Sequence, residues 1–152
     1  MATGNQNLIE ETVQLVARDG GTISGYRVRP AGAVKGGLIV LQEIFGLTDQ
    51  MKSVVQFYAG KGYDAIFPCF YDRNEPGLVV PFNDPDRGRT LAYGLNMDEV
   101  TADIAAAAKT QVLGIANKRH AWEGCANQLR RMITGRVVDN HNFIRSASAC
   151  VQ

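Results

Sequence analysis

Apolar residues follow three rhythms along the chain. Thr12–Ala17 and Thr22–Val28 alternate or cluster apolar and polar positions at strand spacing, with Arg18-Asp19-Gly20-Gly21 between them. Asp-Gly at that point predicts an antiparallel hairpin. After the break Pro30-Ala31-Gly32, the continuous β-branched run Leu38–Leu41 predicts a strand of a parallel sheet, buried on both faces. It stops at Glu43, and ligands of open parallel sheets gather beyond the carboxyl ends of such strands. Glu43 is therefore a candidate site carboxylate. The competing reading is that it caps the next turn or pairs with a basic residue.

Helical spacing begins next. Met51, Val54, Val55 and Tyr58 fall at i, i+3, i+4 and i+7 behind a cap at Thr48 or Asp49, and Gly60 and Gly62 stop the helix. Tyr63–Phe67 reads as a short strand ending at Pro68, and 68–86 as a long loop rich in Pro, Gly, Asn and Asp, of a length usually functional or mobile. A short helix is predicted over Asp86–Leu95 and a longer one over Met97–Thr110, with Val100, Ile104 and Ala108 in one row. Strand, helix, strand, helix predicts an α/β fold with helices on a parallel sheet. Beyond Thr110 the periodicity weakens: Gln111–Ile115 reads as a short strand, Gly124–Thr134 as a basic helix, and Val137–Gln152 has no period.

Composition narrows the function classes. The 152 residues, 45% hydrophobic, suffice for one globular core. No run reaches the length of a membrane span and the first residues lack a signal-peptide pattern, so the expectation is a cytoplasmic protein without a membrane partner. Three cysteines, Cys69, Cys125 and Cys150, and two histidines, His120 and His141, show no metal-ligand spacing. A net charge of +1 gives no case for nucleic acid. The charge is nevertheless uneven: residues 1–115 hold ten Lys/Arg against thirteen Asp/Glu, and residues 116–152 six against two.

Taken together, Gln42-Glu43-Ile44-Phe45-Gly46, Gly62-Tyr63 after the first helix, Pro68 followed by Tyr71-Asp72-Arg73, and Asp103 opening Asp103-Ile104-Ala105-Ala106-Ala107 resemble the N-terminal half of the dienelactone hydrolase family of α/β-hydrolases. The resemblance spans roughly Ile9 to Thr110, and Gln-Glu-Ile-Phe-Gly is its most specific part. It implies the N-terminal half of an α/β-hydrolase fold: an antiparallel hairpin joined to a parallel sheet with flanking helices, followed by an atypical tail. It also implies hydrolysis of a small lactone or carboxylic ester by a Cys-His-Asp triad, with no metal and no organic cofactor. The glutamate of the motif helps activate the thiol in such enzymes, a role that falls on Glu43, because only the thiolate is a strong nucleophile. The backbone N–H of Ile44 would serve the oxyanion hole. An arginine before the long helix would bind the substrate carboxylate, and spacing leaves Arg87 and Arg89 both open, as well as the reading that both are solvated beside Asp84 and Asp86.

The departures come after Thr110. The family's nucleophile elbow, Gly-x-Cys-x-Gly-Gly, is absent; Cys125, in Gly124-Cys125-Ala126-Asn127, lacks the glycines that a strained strand-to-helix turn needs and is a weak candidate nucleophile. His120, His141 and Asp139 match no family position. The expectation is therefore a hydrolase-like region over 8–110 and a divergent basic tail over 111–152, arising by a frame shift or aberrant splicing, with little or no turnover. The alternative is a non-catalytic ligand-binding or interaction module. Without a neighbour for Leu38–Leu41, unless Gln111–Ile115 fills the gap, an apolar sheet edge predicts self-association.

Overall fold

The computed structural model describes residues 7–114. The chain divides into two units, Met1–Gln111 and Val112–Gln152, and the fold below is that of the first. Cys125, Cys150, His120, His141, Asp139 and the expected helix over Gly124–Thr134 lie outside the described residues.

The alternating segments pair as predicted, over longer spans: β1 (Leu8–Val16) and β2 (Thr22–Pro30) run antiparallel with Val16 opposite Thr22. β3 (Gly37–Ile39) lies parallel to β4 (Asp64–Pro68), which is antiparallel to β2, so the four-stranded sheet has the order β1-β2-β4-β3. Ala65, Ile66 and Phe67 are fully buried, as the apolar run of a central strand requires.

β3 is shorter than the run Leu38–Leu41 predicts, and among the described residues it stands at the end of the sheet with β4 as its one neighbour. Val40 N–H still bonds to Ile66 C=O at 2.8 Å. The next bond of a parallel ladder would need an N–H at position 68, and Pro68 has none. The chain therefore leaves the sheet just before Gln42. Leu41 is exposed instead of buried.

Helix α1 (Asp49–Gly60) starts at Thr48, whose hydroxyl accepts from Met51 N–H. Its buried row is Met51, Val55 and Ala59, packed on Tyr26, Val28, Ala65 and Phe67. Tyr58, expected in that row, is instead turned outward beside Phe57, because the i, i+4, i+8 row alone faces the sheet. On the other face, Leu15 and Ile66 meet over Gly25, where a side chain would touch both. There too Arg27 and Asp64, both buried, form two hydrogen bonds of 2.8 and 2.5 Å.

After β4 come a 3-10 turn (Phe70–Arg73), α2 (Pro85–Tyr93), capped by Asp84, and α3 (Met97–Gly114). The expected strand at Gln111–Ile115 is overturned as far as Gly114, because those residues continue α3. The reason is visible at Gln111: its side-chain amide donates to the carbonyls of Leu38 at 3.0 Å and Asp64 at 2.5 Å, so it meets β3 and β4 as a side chain from a helix and not as a new strand. This segment does not fill the gap beside β3.

Candidate functional site

The residues 42–46 form a turn just past the end of β3, and the long segment after β4 wraps around it. Gln42 Oε1 accepts from Phe70 N–H at 3.0 Å, which pins the start of the turn to the 3-10 helix. Phe45 C=O accepts from Val80 N–H at 3.0 Å, and the Phe45 ring meets Phe82 edge-on at 4.9 Å. Gly46 has φ of 78°, and a Cβ there would lie 2.8 Å from Leu78 C=O. Glycine is needed at that position on both counts.

The 68–84 segment is correspondingly well tied. Asp72 accepts from Ser24 N–H on β2 and from Gly77 N–H, both at 2.8 Å. Arg73 holds the buried Asp103 of α3 through bonds of 2.9 and 2.8 Å and reaches Asp19 in the β1–β2 turn. These carboxylates, Asp103 first, raise the Arg73 pKa further above its ordinary value.

Tyr71 occupies the centre of this region and is 1% exposed. Its hydroxyl donates to Ile44 C=O at 2.9 Å and lies 3.3 Å from Gly88 C=O in α2. Burial pushes the phenol above its usual pKa, partly opposed by the Gln42 amide, so it stays a proton donor. Gln42 Nε2 is itself buried without a partner of good hydrogen-bond geometry among the described residues. At Gly88 the helix touches the turn directly: a Cβ there would stand 2.6 Å from Ile44 C=O.

Of the residues that the sequence singles out, the structure packs the Glu43–Ile44 turn against α2, which carries Arg87 and Arg89. Glu43 is exposed at the end of the apolar run. Among the described residues it neither caps the following helix, which Thr48 does, nor takes part in an ion pair. The Ile44 carbonyl is tied to Tyr71, whereas its N–H makes no hydrogen bond among the described residues. Arg87 and Arg89 flank Gly88 on α2, both exposed. Arg89 is committed to Asp86 at 2.7 Å, while the Arg87 guanidinium has no partner among the described residues. Cys69 is the cysteine within the described residues; burial first, then Asp72, pushes its thiol up to about 12, so it is neutral near pH 7 and unsuited to attack.

Sequence reasoning overlooked Tyr71 and Gly88 as parts of this arrangement. One signal was available: a glycine inside a helical segment, between two arginines, costs about 1 kcal/mol against alanine and calls for a packing reason.

Comparison with known proteins decides the family, because the dienelactone hydrolase family model matches residues 23–125. The chain belongs to that family. It is 26% identical over 121 residues to carboxymethylenebutenolidase 1 of Cupriavidus pinatubonensis, covering 77% of this chain and 52% of that one. It is 31% identical over 104 residues to the carboxymethylenebutenolidase of Pseudomonas putida, covering 66% and 44%. A crystal structure from Klebsiella pneumoniae, described provisionally as a dienelactone hydrolase, superposes with a TM-score of 0.54 at 23% identity, covering 69% of this chain and 44% of that one. The fold is accordingly that of the α/β-hydrolases in part. The chain spans about half the length of the curated relatives it matches.

Among the described residues no helix is long and apolar enough to cross a membrane, and no group of three or more His, Cys, Asp and Glu is placed to hold a metal ion.

Proposed function

We propose that residues 8–110 carry the oxyanion and carboxylate-binding half of a dienelactone-hydrolase-type site, acting on small lactones or carboxylic esters that bear a carboxylate. The observation that supports this reading is the contact of Gly88 with Ile44, which packs α2, the helix that carries both arginines, against the Glu43–Ile44 turn. In the chemistry proposed, a cysteine thiolate adds to the carbonyl carbon, the acyl C–O bond breaks as histidine, oriented by aspartate, protonates the leaving oxygen, and water then hydrolyses the thioester. Glu43 holds the thiol proton, the Ile44 N–H stabilises the developing oxyanion, and Arg87 grips the substrate carboxylate with its planar fork. Arg87 is preferred to Arg89 because the latter is engaged with Asp86.

The nucleophile is unassigned. Cys69 is too neutral, Cys125 lacks the elbow's glycines, and no Gly-x-Cys-x-Gly-Gly occurs in these 152 residues. We therefore expect ligand binding with little or no turnover, which merges the hydrolase reading with that of a binding module. The basic composition of residues 116–152 fits a shifted reading frame downstream of α3, and translating the coding DNA past Gly114 in all three frames tests that origin. The single neighbour of β3 among the described residues supports association of two copies through that edge. Light scattering that finds a monomer overturns this last point.

The function itself is tested by titrating the purified chain with monomethyl glutarate, a carboxylate-bearing ester, and by following hydrolysis of p-nitrophenyl acetate. Binding weakened by Arg87→Met, with hydrolysis near background, is the expected result. No binding at all, or rapid hydrolysis abolished by Cys125→Ser, would overturn it.

A further inference from the structure

Two observations at the site are not explained by a role for Glu43, Ile44 or Arg87 alone. One hydroxyl, on the buried Tyr71, bonds the carbonyl of Ile44 at 2.9 Å and stands 3.3 Å from that of Gly88. The second is the absence of a side chain at Gly88, without which α2 would be forced away from Ile44 C=O, 2.6 Å from where a Cβ would sit. Both act on the separation between the same two elements. One element supplies an amide N–H without a partner among the described residues, and the other supplies a guanidinium in the same condition.

We infer that Tyr71 and Gly88 form a clasp that fixes the span between the Ile44 N–H and Arg87, and so selects ligands by the number of atoms between their carbonyl and their carboxylate. This rests on the function proposed above and adds a positioning role for two residues that touch no substrate. The physical basis is that a charge-assisted hydrogen bond loses strength steeply with misplacement, so two anchors held rigidly discriminate length, whereas two anchors on independent elements adapt. Tyr71 suits the task because its ring is packed and immobile, leaving the hydroxyl in one place. The hydroxyl carries one proton, given to the Ile44 carbonyl at 2.9 Å with the Gly88 carbonyl at 3.3 Å, so both backbone segments lie within reach of the same donor. Arg87 immediately precedes Gly88 on α2, so it leaves the helix one residue, roughly 100° around the axis, from the point of contact.

The experiment uses the whole 152-residue chain and three ligands that differ only in length: monomethyl succinate, monomethyl glutarate and monomethyl adipate. Dissociation constants are measured by calorimetry or by amide shifts, with thermal melts to confirm that each variant is folded. The wild type should prefer one length by at least about tenfold, the ratio expected when a charge-assisted contact is made or missed. Tyr71→Phe, which keeps the ring, should compress that preference to about twofold, and Gly88→Ala should compress it or move it to another length. Arg87→Met should remove it.

A purely structural role for Tyr71 predicts something else: all three ligands weaken by one common factor and their ratios stay put. That outcome overturns the clasp, as does a wild type that binds all three lengths equally. A wild type that binds none of them overturns the proposed function and the clasp together, which separates the two failures. Should Gly88→Ala not fold, Tyr71→Phe decides alone.

Discussion

The sheet with α1 and the turn beyond β3 are held by different means. Around β1, β2, β4 and α1, stability comes from apolar burial and ladder pairing, with Val55, Ala59, Ala65 and Phe67 fully covered and one buried ion pair, Arg27–Asp64. Around residues 42–46, the chain is held by single side chains bonded to backbone atoms: Gln42 to Phe70, Tyr71 to Ile44, and Asp72 to Ser24 and Gly77. Apolar packing is non-directional and sets that elements meet. Hydrogen bonds to particular carbonyls set where they meet, which is what a site requires. The scaffold should accordingly respond to mutation mainly in stability, and the turn mainly in ligand selection.

The largest effect is expected on the scaffold side. Asp64→Ala leaves the Arg27 guanidinium buried without its main partner, with only Glu11 at 3.3 Å to compensate. Losing one member of such a pair costs about 3–5 kcal/mol, measurable as a lower urea midpoint. Ligand length preference should survive in whatever fraction stays folded. A shift below 1 kcal/mol would mean that the pair is solvated and the contrast between regions is drawn in the wrong place.

Gly88→Ala comes next and contains opposing terms. Alanine gains about 1 kcal/mol of helix propensity over glycine. Its Cβ, however, would stand 2.6 Å from a backbone carbonyl, and the flexible end of a side chain is not available there to yield. Overpacking of this kind costs about 1–3 kcal/mol, so net destabilisation of up to about 2 kcal/mol is expected, with the clear signature in binding. A net gain in stability would show that α2 moves freely.

How far the sequence reveals these two regions follows from the same contrast. The strands and helices were legible because burial imposes periodicity: the β1–β2 hairpin and the row Met51, Val55, part of α1, could be read directly. The end of β3 was misjudged because it depends on the missing N–H of Pro68, distant in sequence. Gln111 was misjudged because an apolar run of that length fits a strand or the last turn of a helix equally well. Glu43 and Ile44, whose roles are proposed above, stand out in the sequence through their motif. Tyr71 and Gly88 do not, since a clasp between them appears only when three separate segments are brought together.

Tyr71→Phe should cost about 1 kcal/mol, less than either change above, because the ring packing persists and only one hydroxyl is lost. Equilibrium unfolding checks this. A loss larger than that of Asp64→Ala would make the phenol a pillar of the scaffold and erase the distinction between regions.

The smallest effect sits where the two regions touch. Asp19, in the β1–β2 turn, bonds Arg73 at the base of the long segment at 2.9 Å, and chiefly this bond lowers its pKa below the ordinary 3.8. Because the folded pKa is depressed, the unfolded chain binds more protons as pH falls. The stabilisation is therefore complete above the unfolded pKa and disappears as pH drops through the folded value. Asp19→Asn should match the wild type below that window and be slightly less stable near pH 7. The carboxylate is exposed, so added salt should narrow the gap further. Following the unfolding midpoints of the two proteins from pH 7 down past the ordinary carboxylate value of 3.8 tests this, with the gap expected to shrink progressively. A gap that does not shrink as pH falls would mean that the fit of the Asp19 side chain, which also accepts from Gly21 N–H within the turn, matters more than its charge.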